Sequence, residues 1–227
     1  MCNETGLVMD IIWNGVTRSE ALSEDGKNAR IRLAEAAKSY DWSTVFEILS
    51  KCGELVNCCR LNGNSMYAPL HQAAHAGASS DIVARLIGLG AWRTLQNARG
   101  ERAVDVAERV GHNQLREALY PVLKHEVPVG VLLKIQANFH DVIRGRIDRE
   151  LPSHDLRLPE LEPLLELQRP QMWFPVPGMY GGFSYRLESA GVDAKLVVES
   201  LCRVVAGSGQ RHEITSQGSR LVEKGFV

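Results

Sequence analysis

The segment Gly207–Glu213 holds the residue types in this chain that are best suited to chemistry: Gly-Ser-Gly-Gln-Arg-His-Glu. A glycine-rich turn offers backbone N–H groups to an anion, and Arg211 and His212 are suited to hold a phosphate or to transfer a proton. No Walker or Rossmann pattern surrounds the segment. The same residues also fit a hairpin turn in which Arg211 faces solvent. Both interpretations, a ligand site and a structural turn, stay open.

The neighbouring segment Met172–Phe183 is dense in aromatic, proline and glycine residues. Such a segment forms either a binding platform or the packed junction between a small sheet and a helix. The chain shows no nucleophile with a paired base and no Ser-His-Asp arrangement, so we predict no catalytic residue. The candidate ligand-binding residues are Tyr180, Arg203, Arg211, His212 and Glu213.

The cysteines do not predict a metal site. Cys52, Cys58 and Cys59 lie close together in the sequence, but they lack the CxxC-type spacing of zinc sites. We therefore predict no metal and no cofactor. Five cysteines at irregular spacing are typical of reduced thiols. Because Glu4 precedes the first apolar stretch and no positive region does, the sequence predicts a cytoplasmic protein without a signal peptide.

The composition argues against a membrane-spanning chain and against nucleic-acid binding. The chain has 227 residues, 44% hydrophobic and 23% charged, with a net charge of −1. Its longest apolar runs, at Leu7–Trp13 and Pro128–Leu133, are too short to cross a bilayer. A cluster of arginines between Arg85 and Arg109 is interleaved with acidic residues, which makes nucleic-acid binding an unlikely role.

A repeated motif lies in the part of the chain before Met172. Residues 68–74 are Ala-Pro-Leu-His-Gln-Ala-Ala, and a helical run follows and ends at Gly90. A fainter copy begins near Arg99, with 34 residues from His71 to its counterpart Asp105. The motif is close to T-P-L-H-x-A, and the spacing is close to the ankyrin period of about 33. The chain therefore resembles an ankyrin-repeat protein over residues 28–124, with about three repeats.

The copy departs from the family pattern at several positions. Ala68 replaces the usual threonine, which removes a helix cap worth ~1 kcal/mol. Ala34 and Asp105 replace the motif histidine in the other two repeats, so the usual Thr–His hydrogen-bond ladder is mostly absent. Since three repeats are about the minimum for a stable stack, we expect the rest of the chain to support it in one rigid unit.

The C-terminal part has a different pattern. Val131–Ile147 has apolar residues at helical spacing and is predicted to form one amphipathic helix. Alternating residues predict strands at Gly182–Glu188, Lys195–Val205 and Arg211–Thr215 in a small antiparallel sheet. The predicted fold class is α+β, a short helical stack followed by a helix and a sheet. The predicted domains are an N-terminal extension or cap (1–27), ankyrin repeats (28–124) and a C-terminal α+β domain (125–227).

The ankyrin resemblance implies that the chain binds another protein through its loop tips and its concave inner-helix face. Trp92 is the most suggestive candidate, because an exposed loop-tip tryptophan usually needs a partner to cover it. The alternative is that Trp92 packs inside this protein, and His71 is expected to be structural. The candidate partner-binding residues are Asn64, Met66, Tyr67, Gln72, His75, Trp92, Arg93, Gln96, Arg99, Glu101 and Arg102.

These observations favour a non-enzymatic interaction protein that acts as an adaptor, a regulator or a neutraliser of a toxin or effector. The alternative is a C-terminal domain that binds a small molecule or phosphate, or has enzymatic activity, using Arg203, Arg211 and His212. The two hypotheses differ in one geometric expectation. The alternative requires these side chains to converge in a cleft, whereas the first does not.

Overall fold

A computed structural model describes residues 11–147, 156–202 and 209–225. Within these ranges, seven α-helices precede five β-strands, which confirms the predicted α+β class. The helices are α1 (Glu24–Lys38), α2 (Trp42–Lys51), α3 (Pro69–Ala76), α4 (Ser80–Gly88), α5 (Ala103–Arg109), α6 (Arg116–Leu119) and α7 (Val129–Ile147). The strands are β1 (Gln171–Val176), β2 (Gly181–Ser189), β3 (Lys195–Cys202), β4 (Gln210–Thr215) and β5 (Gly218–Lys224).

The first six helices form three consecutive pairs, and local residues define where the helices begin. The side chains of Ser23, Asp41 and Ser79 accept hydrogen bonds from backbone N–H groups in the first turns of α1, α2 and α4. Pro69 occupies the first turn of α3, where its missing N–H is not needed. Gly77 ends α3 in the left-handed conformation, with φ of 61°.

The three pairs are stacked side by side. The first helix of each pair packs against the next, so that α3 lies between α1 and α5, and α4 contacts α6. Leu33, Val45, Leu70, Val83 and Val106 are buried in the shared core of these helices. Each pair therefore buries its apolar face against its neighbours.

The five strands form one antiparallel sheet in the order β1-β2-β3-β4-β5. The three predicted strands match β2, β3 and β4, although the predicted end of β3 at Val205 lies outside the described residues. The strands β1 and β5 were not predicted. Pro175 argues against a strand in the sequence, but proline is tolerated in an edge strand such as β1. Strand β5 is exposed along most of its length and so lacks a clear apolar alternation.

Helix α7 packs against β4 and β5. Ile135, Phe139 and Ile143 are fully buried, and the rings of Phe139 and Tyr185 lie 5.0 Å apart. The predicted amphipathic helix is thus confirmed, beginning two residues earlier. It is the longest helix among the described residues. No helix in the described part of the chain is long and apolar enough to span a membrane.

The core of the sheet extends into the first half of the chain. Trp13, Trp92 and Leu95 belong to the same apolar cluster as α7 and the sheet. The clusters of buried side chains therefore do not follow the predicted domain boundary at residue 124. The domain bounds themselves stay a prediction.

The described part of the predicted N-terminal extension runs along the sheet edge. The Trp13 N–H donates to the Trp173 carbonyl, the Trp173 N–H donates to the Ile11 carbonyl, and both N···O distances are 2.8 Å. Farther on, the Thr17 carbonyl accepts from the Asn62 N–H at 2.8 Å. This segment therefore contacts β1 and the loop after α2, and α1 already begins inside the predicted extension. Residues 1–10 lie outside the described ranges.

His71 connects the second and third helix pairs. The Ala68 N–H donates to His71 Nδ1 at 3.3 Å, and His71 Nε2 donates to the Glu101 carbonyl at 3.3 Å. The imidazole thus satisfies the Ala68 backbone N–H, as the third helical residue of a capping box does, while the cap that a threonine side chain would supply stays absent. Burial is the largest cause that lowers the pKa of His71 to about 4, from an ordinary value of 6.5. The ring is therefore neutral at neutral pH.

We predict that His71 makes the fold sensitive to acid. Between about pH 6.5 and 4 the unfolded chain binds a proton at His71 that the folded chain does not, so the free energy of unfolding falls as the pH is lowered through that window. The full effect is on the order of 3 kcal/mol. In urea titrations at about pH 7.5 and 4.5, the stability difference between the wild type and His71→Gln should narrow by up to that amount.

The matched control is His75→Gln, because His75 is an exposed histidine of the same helix. A change with pH that both variants show is not specific to the buried ring of His71. A wild-type–His71→Gln difference that does not change with pH would mean that His71 is not held neutral in the fold.

Candidate partner-binding surface

The loop between α4 and α5 is covered by this chain itself. The ring of Trp92 stacks on Trp13 with a centroid distance of 5.7 Å and an interplanar angle of 3°. Trp92 is 7% exposed and Trp13 is 1% exposed. The prediction of Trp92 as a partner contact is therefore wrong, and the alternative that it packs internally is correct. The sequence does not show which residue covers Trp92, because Trp13 lies 79 positions away in the chain.

Glu166 fixes the same loop to the C-terminal region. Its carboxylate accepts from the N–H of Arg93 at 3.2 Å, from the N–H of Thr94 at 2.8 Å and from the Thr94 hydroxyl at 2.6 Å. Thr94 is fully buried. We call this arrangement the Glu166 clamp. A charged acceptor with three donors is a strong contact at a buried junction.

Other ionic contacts extend this junction. The Gln96 N–H donates to Glu160 at 3.0 Å, and the Gln96 carbonyl accepts from Arg157, which also pairs with Glu160. Arg102 pairs with Glu162. The guanidinium of Arg157 lies 5.3 Å from the ring centroid of Trp13. The junction is thus both stacked and ion-paired.

Four of the predicted partner-binding residues make contacts within the chain, and the partner role of the three half-buried ones, Arg93, Gln96 and Arg102, stays a prediction. Trp92, Arg93, Gln96 and Arg102 are engaged within the chain, and Arg93 also donates from Nε to the Ala118 carbonyl at 3.1 Å. The loop tips of an isolated stack would be free, but here residues 156–167 cover them. Neither Arg157 nor Glu166 was singled out from the sequence, because nothing near them in the sequence indicates their partners.

The remaining candidates lie on or beside the first helices of the pairs. Asn64, His75 and Arg99 are exposed, whereas Met66, Tyr67, Gln72 and Glu101 are half-buried. The Tyr67 hydroxyl accepts from Arg109 Nη2 at 2.9 Å, and Arg109 pairs with Glu101 at 2.6 Å. This contact with Arg109 is the largest cause that lowers the pKa of Glu101 below its ordinary value.

An aromatic group adjoins these residues. The Tyr40 hydroxyl lies 3.0 Å from His75 Nδ1, and the rings of Tyr67 and His75 are in edge contact at 6.3 Å. Tyr40 also stacks on Trp42 at 6.3 Å and is 43% exposed. We name the connected set Tyr40, Tyr67, His75, Glu101 and Arg109 the aromatic strip. Tyr40 and Arg109 were not predicted as contacts.

The backbone of Tyr40 is unusual for its residue type. Tyr40 has φ of 62°, and the Asp41 N–H donates to the Ala36 carbonyl at 2.9 Å in a Schellman-type helix end. The equivalent helix ends of α3 and α5 use Gly77 and Gly111. A left-handed conformation is unfavourable for a residue with a Cβ by roughly 1–2 kcal/mol. The first pair therefore holds an exposed tyrosine where the other two pairs hold glycine.

The predicted ligand-binding residues that the structure describes, Tyr180, Arg211, His212 and Glu213, do not converge. Arg211 pairs with Glu199 at 2.9 Å and with Glu223 at 3.0 Å, so it is held on one face of the sheet. On the same face, Glu213 pairs with Arg220 at 2.7 Å. His212 lies on the opposite face, where burial and then Arg146 lower its pKa.

Tyr180 lies in the turn between β1 and β2 and is 76% exposed. Arg203, and Gly207 and Ser208 of the predicted turn, lie outside the described residues. The arrangement of Arg211, His212 and Glu213 therefore lacks the convergence that the ligand-site interpretation requires, and it matches the interpretation as a structural hairpin.

Comparisons with known proteins find little. No protein-family model matches the chain, and no curated protein matches it. The chain is similar to part of a solved structure of the predatory endopeptidase Bd0816 from Bdellovibrio bacteriovorus in complex with immunity protein Bd3460, with 29% identity and a TM-score of 0.33. The match covers 38% of this chain and 42% of that chain. Because the match spans less than half of either chain, this similarity carries no argument about function.

We predict that the Glu166 clamp couples the helical stack to the sheet. In Glu166→Gln the carboxylate charge is lost while three buried donors remain, so the free energy of unfolding should fall by about 2 kcal/mol. The wild type should unfold in one cooperative transition. Urea titrations followed by tryptophan fluorescence and by far-ultraviolet circular dichroism test both expectations.

Glu47→Gln is the matched control, because it makes the same chemical change in an exposed i,i+4 ion pair with Lys51. This variant should leave the unfolding transition nearly unchanged. If Glu166→Gln behaves like Glu47→Gln, or if the two probes report separate transitions in the wild type, the stack and the sheet are not coupled through the clamp.

Proposed function

We propose that the chain is a non-enzymatic protein-binding module and that its helical part is a short ankyrin-type stack. The partner binds over the aromatic strip on the first helices of the pairs. Three consecutive helix pairs, with α3 between α1 and α5, support the ankyrin assignment. The motif at residues 68–74 opens α3, as the resemblance implies.

The observation that carries the proposal is Tyr40. A residue held in a sparsely populated backbone conformation suggests function when nothing in the fold requires its side chain. Glycine at this position is compatible with the helix end, as Gly77 and Gly111 show. The helix end itself does not need the tyrosine, whose ring contacts only the surface residues His75 and Trp42 among the described residues and is 43% exposed to a partner.

The composition of the aromatic strip suits protein recognition. Tyrosine and arginine are enriched among the residues that dominate binding energies in interfaces. Tyr67 and Arg109 are already positioned by their mutual hydrogen bond and by Glu101, so little side-chain freedom is lost when a partner binds. The strip is thus largely preorganised.

The surface that we propose is narrower than the one expected from the resemblance alone. The loop tips near Trp92 are occupied by the C-terminal region, so the proposed binding surface is the aromatic strip, which extends from Tyr40 in the first helix pair to Arg109 in the third. In this proposal the C-terminal region supports the stack. An adaptor, a regulator and a neutraliser of a toxin or effector would all use this binding step. The free thiols of Cys52, Cys58, Cys59 and Cys202 are in keeping with a cytoplasmic setting.

We predict that Tyr40→Gly separates binding from stability. The change relieves the left-handed strain and removes an exposed ring, so the free energy of unfolding should stay within about 1 kcal/mol of the wild type. Binding should weaken at least about tenfold if Tyr40 is a dominant contact. The measurement is capture from a lysate of the native source with the tagged full chain, quantified by mass spectrometry.

Lys51→Ala serves as the control, because its side chain is 70% exposed on α2, the second helix of the first pair. A partner recovered with the wild type and with Lys51→Ala, but depleted with Tyr40→Gly, supports the proposed surface. Equal recovery of every protein with Tyr40→Gly would rule out the aromatic strip as the binding surface.

A further inference from the structure

A cleft lined by both apolar and cationic side chains lies beside the aromatic strip. It has a volume of about 670 Å³ and is enclosed by α1, by the loop at residues 58–65 and by the start of α3. Three cationic residues line it, namely Arg30, Lys38 and Arg60. Among the described residues, no aspartate or glutamate lines this cleft. The cleft is therefore positively charged, although the chain as a whole has a net charge of −1.

Arg30 is the most unusual of the three cations, because it is 2% exposed and its hydrogen-bond partners among the described residues are neutral. Its guanidinium donates to Asn14 Oδ1 at 3.3 Å and to the Cys59 carbonyl at 2.9 Å. Its Nε is buried without a hydrogen-bond partner among the described residues, and no described carboxylate is paired with it. A buried arginine is normally paired with an anion, because an uncompensated buried charge is unfavourable.

The other two cations are more accessible. Lys38 is exposed and has no ion-pair partner among the described residues. Arg60 pairs with Glu35 at 2.9 Å, but both side chains of this pair are about half exposed, 50% and 51%. Exposed pairs of this kind are weak, so a better-placed anion can take the place of Glu35. Asn64 and Gln72 add neutral hydrogen-bonding groups to the lining.

We infer that this cleft receives an acidic side chain of the protein partner, from a segment rich in glutamate or aspartate. The inference rests on the proposed function, because Tyr67 belongs both to the cleft lining and to the aromatic strip. A partner seated on the strip would cover the cleft opening. A carboxylate beside Arg30 would supply the charge that its neutral partners lack, and charge-assisted hydrogen bonds are the strong ones.

The size of the cleft favours a peptide segment over a free ion. A volume of about 670 Å³ is many times that of a water molecule, which occupies about 30 Å³ in the liquid, and phosphate is only a few times larger than water. A peptide can place its carboxylate near Arg30 and its backbone against Asn64 and Gln72. Lys38, at the end of α1, would attract the same segment from outside.

The test uses the full chain labelled with nitrogen-15 and three probes: capped hexaglutamate, capped hexaglutamine and inorganic phosphate. Hexaglutamate should saturably shift the Nε–H signal of Arg30, and the affinity should fall several-fold between about 50 and 300 mM sodium chloride. The double variant Lys38→Gln, Arg60→Gln should weaken binding at least about fivefold. Arg32→Gln, an exposed arginine of the same helix outside the cleft lining, should not change it.

Three results would overturn the inference. They are no saturable binding of hexaglutamate, equal binding of hexaglutamine, and a shift of Arg30 by phosphate but not by hexaglutamate. The last would make the cleft a site for a small anion. The double variant uses exposed side chains and is expected to fold, so these outcomes do not depend on replacing the buried Arg30.

The same double variant separates this inference from the proposed function. A captured partner that is lost with Tyr40→Gly but retained with Lys38→Gln, Arg60→Gln would leave the aromatic strip in place and exclude the acidic contact. The opposite result is that hexaglutamate binds at Arg30 but no captured partner depends on Tyr40. That result would exclude the aromatic strip as the binding surface and would show only that the cleft prefers acidic ligands.

Discussion

The junction between the helical stack and the C-terminal region is the constraint on which the rest of this structure depends. Three helix pairs form only a small core of their own, and their connecting loops carry side chains that are unfavourable in water. Trp92 is the clearest case, since its ring is covered by Trp13 from the N-terminal segment. The neighbouring Thr94 is held by Glu166, which lies in the segment before β1. The chain thus closes around its own loop tips, and the stack does not have to be stable alone.

That closure decides which surface remains available. In a longer repeat array the loop tips and the inner helices both face outward, and either can bind a partner. Here the tips near Arg102 are paired with the 156–167 segment, whereas Tyr40 and His75 remain exposed on the first helices. The same contacts that stabilise the stack therefore cover the tips near Trp92 and leave Tyr40, His75 and Arg109 at the surface.

Much of the fold could be predicted because its signals are local. Helix caps, the apolar spacing of α7 and the alternation in β2 each lie within a few residues. The errors have a common cause, which is that the deciding contact is distant in sequence. Trp92 was expected to be exposed because Trp13 is far away in the chain, and β1 was missed because Pro175 is acceptable only at a sheet edge. Similarly, the ionic partners of Arg211 lie on neighbouring strands, which the pattern of Gly207–Glu213 does not show.

Two departures from local rules occur together in the first helix pair. Tyr40 occupies a left-handed helix end at which the other pairs use glycine, and Arg30 is buried without an anionic partner among the described residues. The starts of α1, α2 and α4 follow local preferences, whereas α3 lacks a side-chain cap and Met66 and Tyr180 also have a left-handed backbone. Natural chains break such rules mainly at functional sites. Arg30 and Tyr67 line the same cleft, and Tyr67 is connected to Tyr40 through His75, so the two departures lie beside one continuous set of contacts.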